Sequence, residues 1–178
     1  MRKYFKTAQL IPCYSEEGRC KWCRRPLLLW SSTLHKAIGN AWAMADDLLE
    51  PTRVRYGKPI RVKRCFMCYN KCKKLGLDEA YMRGEVAEIT AVAGMPRRYK
   101  KNAPRFKNSE VGGGVSEVTR EENLKIGRLI EELGVYDQLV YENCDEQGRP
   151  EWLRVSYKAD GGNRCQVLSH FKKERIKE

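Results

Sequence analysis

Residues 150–168, PEWLRVSYKADGGNRCQVL, place the strongest demand on how this chain can fold. Trp152, Val155 and Tyr157 favour a strand, and Trp152, Arg154 and Ser156 alternate onto one of its faces. Asp160-Gly161-Gly162 is a turn signal, with Cys165-Gln166-Val167-Leu168 behind it. Arg154 is the residue that does not fit. A cation in the middle of a half-buried strand requires a carboxylate brought to it from elsewhere in the chain. The alternative is that it points outward into water, as most charged side chains do.

The elements available to meet it can be read in order. Leu34, Ile38, Ala41, Ala45 and Leu48 recur at steps of three and four, which predicts a helix opened by Ser31 or Ser32 and ended by Pro51. Lys58-Pro59-Ile60-Arg61-Val62 predicts a short strand. Residues 65–74 form a basic loop or short helix, and 79–92 a helix weakened by Gly84. A basic, Pro-containing loop and a glycine turn lead to Thr119 and Glu122, spaced as a capping box. The helix behind them turns Ile126, Leu129, Ile130 and Leu133 inward and stops at Gly134. A strand follows at 138–141. This order is neither βαβ alternation nor a bundle. It predicts one α+β domain, an antiparallel sheet with helices on one side. Residues 1–30 form a Cys-rich N-terminal segment, and 172–178 a charged tail.

The 178 residues suit one core, and a hydrophobic share of 42% argues for a packed globule. The formal net charge of +12 favours anionic partners: nucleic acid, anionic lipid or wall polymers. No apolar run is long enough to span a bilayer, and no secretory signal is visible behind Met1, so synthesis in a reducing cytoplasm is expected. There, eight cysteines point to metal binding or buried thiols before disulfides. Cys20-Lys-Trp-Cys23 and Cys65-Phe-Met-Cys68 are two C-x-x-C pairs of the kind that hold a structural zinc, with Cys13 and Cys72 in reserve. Cys144 and Cys165 suit core packing.

Several stretches match a known family. Tyr4-Phe5 with Leu10, Leu48-Leu49-Glu50-Pro51 through Tyr56-Gly57-Lys58-Pro59-Ile60-Arg61-Val62, and Asn70-Lys71 resemble the N-terminal half of the zinc D-alanyl-D-alanine carboxypeptidases, in the branch of phage endolysin-type cell-wall peptidases. Tyr136 through Glu142, Pro150 through Tyr157 and Asn163 through Leu168 resemble its C-terminal half, while residues 77–107 look like an insertion. The resemblance implies the family's fold, a peptidoglycan-peptide partner and a zinc held by S-x-H-x-x-G-x-A-x-D and E-W-x-H, whose Glu is the general base. Three protein ligands leave zinc one position for a water, which the carboxylate deprotonates for attack on a peptide carbonyl.

Every ligand position departs from that pattern. Aligning Gly113 with the motif glycine puts Glu110 in the His place and Glu117 in the Asp place, seven residues apart as required. Arg154 stands for the late His, while Glu151 and Trp152 are kept. The family's S-G-Y-R arginine falls on Met67, with Arg64 displaced beside it, so that Arg64, Trp152 and Arg154 are the substrate-binding candidates. Guanidinium has no lone pair for a metal, and two carboxylates make a poor zinc site. A catalytic zinc is therefore not expected. The expectation is a pseudopeptidase in which Arg154 sits between Glu110 and Glu117 in place of the ion. If lytic, it would reach the wall by a separate export or lysis route. Three carboxylates, Glu110, Glu117 and Glu151, would otherwise suit a harder metal.

One rival class stays open. Basic runs at 61–64, 71–74 and 97–107, interleaved with Trp22, Phe66, Tyr69, Tyr99 and Phe106 beside the Cys pairs, are what a zinc-knuckle nucleic-acid binder uses.

Overall fold

The computed structural model describes residues 5, 10, 11, 20, 32–92 and 117–171. It is α+β, built on one five-stranded mixed sheet. Helix α1 (Ser32–Met44) passes through a π-helical turn (Ala45–Leu49) into α2 (Glu50–Tyr56). Strand β1 (Ile60–Arg64), helix α3 (Tyr69–Leu75), a 3-10 turn (Glu79–Tyr81) and β2 (Val86–Ala91) follow. Helix α4 (Glu117–Leu133) then precedes β3 (Gln138–Cys144), β4 (Trp152–Ser156) and β5 (Gln166–Phe171). The order across the sheet is β1-β2-β4-β3-β5. The first four strands pair antiparallel, and β5 lies parallel to β3 at the edge. The sheet is thus not wholly antiparallel as expected: the long turn after Ser156 carries the chain past β3 and lets β5 run in the same sense. No helix among the described residues is long and apolar enough to cross a membrane.

Pro51 does not end the first helix. Proline has no N–H, and its ring collides with the carbonyl four residues back. The π turn widens the helix just before it, closing Glu50 N–H onto the Ala45 carbonyl, so the chain continues helical beyond the proline. The Thr52 hydroxyl donates to the Leu48 carbonyl at 2.7 Å. Gly57, at φ +72°, ends α2 with its N–H on the Arg53 carbonyl.

Residues 79–92 are not a helix. Gly84 sits at φ +69°, and a Cβ there would meet the Ala37 carbonyl oxygen at 2.0 Å. Its role is a left-handed turn pressed against α1, which aims the chain into β2. Val86–Ala91 is almost wholly buried between β1 and β4, so part of the segment expected as an insertion is an inner strand of the sheet.

The main core lies on the face presented by Ala87, Ile89, Leu153, Val155, Leu139 and Tyr141, against Ala41, Met44 and Leu48 of the first helical rod and Ile126 and Ile130 of α4. Phe5, Leu10, Ile11 and Cys20 of the N-terminal segment are buried in it. Val86 alternates to the opposite face. There it joins Met67, Cys72 and Tyr81 in a small second cluster, so α3 and the 3-10 turn cover part of the second face and the helices are not confined to one side.

The capping box is also absent. Helix α4 already begins at Glu117, which leaves Thr119 inside it and frees Glu122 for other partners. Gly134 ends the helix as expected, at φ +64° with its N–H on the Ile130 and Glu131 carbonyls. Cys144 is buried, but Cys165 is exposed at φ +52° rather than packed in the core.

Candidate functional site

Arg154 lies on the second face of the sheet. The register β2–β4–β3 sets Glu88 opposite Arg154 on one side and Val140 on the other. Burial along β4 alternates, with Leu153 and Val155 in the core and Trp152, Arg154 and Ser156 half-open on the other face, as their spacing requires.

A buried carboxylate does come to this face, and it is Glu88. Only 6% exposed, it accepts from the Tyr81 hydroxyl at 2.8 Å and from Arg64 Nη1 at 3.0 Å, both on Oε1. Burial, and then the Glu88 charge, push the Tyr81 phenol well above its ordinary range, so it stays a neutral donor. A break in register between Val62 and Arg64 inserts Lys63 as an extra residue in β1. Arg64 thereby meets Glu88, and Lys63 Nζ stands 4.3 Å from the centre of the Trp152 ring. Burial lowers the Lys63 pKa, opposed by the nearby Glu88 and Glu151 charges.

Arg154 itself pairs with Glu142 of β3, Nε to Oε1 at 3.0 Å. The contact is an ion pair by distance only, because no hydrogen bond closes on that buried N–H. About a third of the side chain (32%) is open, and no hydrogen bond occupies the guanidinium among the described residues. Glu142 is shared with His170 of β5, Oε2 to Nδ1 at 3.0 Å. Arg154 borders a cleft of about 200 Å³ lined also by Asp78, Arg83, Val140, Ser156 and Lys158.

The expected partners are placed otherwise. Glu110 lies outside the described residues. Glu117, 84% exposed at the start of α4, faces Arg149 at 3.8 Å rather than Arg154. Helix α4 packs Ile126 and Ile130 on the core face of the sheet, opposite the face that carries Arg154. Glu151 precedes β4, the condition for it to share a face with Arg154, but its carboxylate is held by the Asn143 amide and by Arg120 at 3.5 Å. Arg64 is occupied by Glu88, and Trp152 carries Lys63. Of the cysteines, Cys20 and Cys68 meet, Cys23 lies outside the described residues, and Cys65 is enclosed in the main core. Among the described residues no three His, Cys, Asp or Glu side chains form a group that could hold a metal ion.

Tyr81 and Glu88 were missed because their stretch carries enough helix formers to pass for a helix. The signal that identifies it is Gly84. Treated as a turn residue, it separates a short segment from an apolar run, Val86-Ala-Glu-Ile-Thr-Ala91, that suits an inner strand.

Chemically, the described residues offer one buried anion bound by Tyr81 and Arg64, and one cation whose guanidinium makes no hydrogen bond to them, beside a cleft. That suits recognition of a planar anion such as a carboxylate, which guanidinium can bind in a bidentate manner. The chain matches no known protein-family model, and no curated protein or solved structure matches it either.

Proposed function

We propose that this chain is a degenerate relative of the zinc D-alanyl-D-alanine carboxypeptidases that binds peptidoglycan peptides without the zinc mechanism. The observation that carries the proposal is the Tyr81–Glu88–Arg154 cluster. The interval of S-x-H-x-x-G-x-A-x-D recurs in Tyr81-Met-Arg-Gly84-Glu-Val86-Ala-Glu88, with the glycine kept. Tyr81 then stands in the His place, Glu88 in the Asp place and Val86 in the Ala place. Glu88 lies directly across from Arg154, which stands for the late His. Glu110 and Glu117 are thereby replaced as the ligand positions.

In this register a neutral phenol, a carboxylate and a guanidinium occupy the places of the three ligands. The guanidinium fills the role of the ion: a fixed positive charge against the acidic residue of β2, with donors left for a substrate carboxylate. Without a metal there is no activated water for Glu151 to deprotonate, so binding survives and hydrolysis does not.

Calorimetric titration with a diacetylated Lys-D-Ala-D-Ala peptide tests this. We expect saturable binding, weakened about tenfold or more in Arg154→Ala through loss of a charge-assisted contact, and no chelator-sensitive release of D-Ala. Chelator-sensitive hydrolysis, or absence of binding by the folded chain, would refute it. Binding of DNA that falls steeply with salt and ignores Arg154→Ala would favour the nucleic-acid reading.

A further inference from the structure

The sheet ends on two strands, β1 and β5, and the two ends are built differently. Strand β1 carries Arg61, Lys63 and Arg64, and its register breaks between Val62 and Arg64. Charge and a bulge are the devices that keep a sheet edge from pairing with another chain. Strand β5, Gln166-Val-Leu-Ser-His-Phe171, has no lysine, arginine, carboxylate or proline, in a chain whose residues are 33% charged. All of its residues except Leu168 are exposed, Val167 at 41% and Phe171 at 62%. Its outer edge pairs with no strand among the described residues.

The backbone fixes which groups that edge offers. Gln166 N–H donates to the Asp137 carbonyl at 3.0 Å, and successive residues of a strand turn their N–H and C=O to opposite sides. Gln166, Leu168 and His170 therefore face β3, while Val167, Ser169 and Phe171 turn their backbone groups outward. Two copies that meet antiparallel about a two-fold axis must set outward residues opposite one another. Only the register centred on Ser169 uses all three. It puts Val167 opposite Phe171 of the second copy, and Ser169 opposite its own counterpart. Each such pair exchanges both of its N–H···O bonds. The same register matches the side chains. Val167 and Ser169 lie beside Leu139 and Tyr141, on the face that carries the main core, and Phe171 alternates onto that face. Each exposed valine thus covers an exposed phenylalanine of the other copy, an aliphatic–aromatic cross-strand pair.

We propose that β5 is the interface of a homodimer, in which two copies join antiparallel across a two-fold axis at Ser169 into one continuous sheet. A second copy is the occupant because the edge is complementary to itself. Its outward backbone groups are all satisfied by their own symmetry mates, apolar side chains meet apolar ones, and no charged side chain is enclosed. The interface stands or falls independently of the peptide-binding proposal.

Analytical sedimentation of the full chain from micromolar to millimolar concentration, in salt enough to screen the +12 charge of each copy, is the test. The mass should rise from one chain toward two and no further, because the two-fold contact consumes the edge. Ser169→Pro removes an outward N–H that β3 does not use, a change an edge strand tolerates. It should weaken dimerisation roughly tenfold or more. Val167→Lys, which places a charge at the contact, should do the same. Val54→Lys, which alters an exposed valine of α2, should leave dimerisation unchanged. Should the β5 variants fail to fold, hydrogen exchange of the unaltered chain reads the same contact. In the monomer β5 exchanges fastest of the strands, and as concentration rises the Val167, Ser169 and Phe171 amides should slow most. A single-chain mass throughout the series, dimerisation undiminished in both folded β5 variants, or β5 amides equally protected at low and high concentration would overturn the inference.

Discussion

At the scale of the residue, the demand made by Arg154 is met in two unequal ways. Glu142 supplies the nearby charge at 3.0 Å, but without a hydrogen bond to Nε. Glu88 lies across the strand pair and is itself enclosed by Tyr81 and Arg64. Among the described residues Arg154 is therefore neutralised by a nearby charge without a hydrogen bond to its guanidinium. Glu88 is the residue on which this balance turns. Replacing it by Gln keeps the shape and an acceptor but leaves Arg64 and Arg154 facing each other across a neutral amide. Glu88→Gln should lower stability by about 1.5–3 kcal/mol, the range for hydrogen bonds to charged groups, with the half-open Arg64 keeping it toward the lower end. In urea unfolding this reads as a lower midpoint with unchanged slope. An unchanged midpoint would mean that Glu88 is not the anchor of the face.

At the scale of the element, helix α4 is tied to the α2–β1 corner through Glu122. Its carboxylate accepts from Tyr56 at 2.5 Å and from Lys58 and Lys125 at 2.8 Å each. The Lys125 hydrogen bond, then those of Lys58 and Tyr56, depress the Glu122 carboxyl from 4.5 to about 2. A group whose pKa is depressed by folding contributes stability above its ordinary pKa and loses it as pH falls through the folded value. The contribution of Glu122 is thus complete above about pH 5 and lost between about 4.5 and 2. The melting temperature of the unaltered chain should fall across that window, and less steeply in Glu122→Gln. Some slope will remain, because Arg164, with a smaller contribution from Lys158, holds Asp137 down to about 2 as well. Identical slopes in the two proteins would remove Glu122 from the account. A free capping box at Thr119 would not have placed Glu122 here, since in that motif the carboxylate turns back onto the helix start.

At the scale of the whole molecule, the strand order makes β2 and β4 the enclosed centre and leaves β5 an edge. Val167 and Phe171 of β5 are among the exposed large apolar residues, whereas Leu153, Val155 and Ile89 have no exposure. Opening β5 costs only its pairing with β3, while opening β4 breaks two ladders and the main core. Amide hydrogen exchange should therefore be slowest in β2 and β4 and fastest, among the strands, in β5. Equal protection of β5 and β4 would require β5 to be covered by something beyond its own sheet. The same arrangement explains the site. Its residues come from β1, the 3-10 turn, β2, β3, β4 and β5, and converge only because β4 is inserted between β2 and β3.

The periodicity of α4, its stop at Gly134, the β1 and β4 segments, the alternation of Trp152, Arg154 and Ser156, and the need of Arg154 for an acid were all legible in the sequence. These are local properties: spacing along one element, turn chemistry at one glycine, the cost of one buried charge. The identity of that acid was not legible. Glu88, Glu117 and Glu142 are chemically alike in the sequence, and only strand order and register choose among them. The continuation of the first helix past Pro51, the inner position of β2 and the parallel edge strand were likewise decided by packing. There the burial of Val86–Ala91 between two strands outweighed a local pattern that also suited a helix.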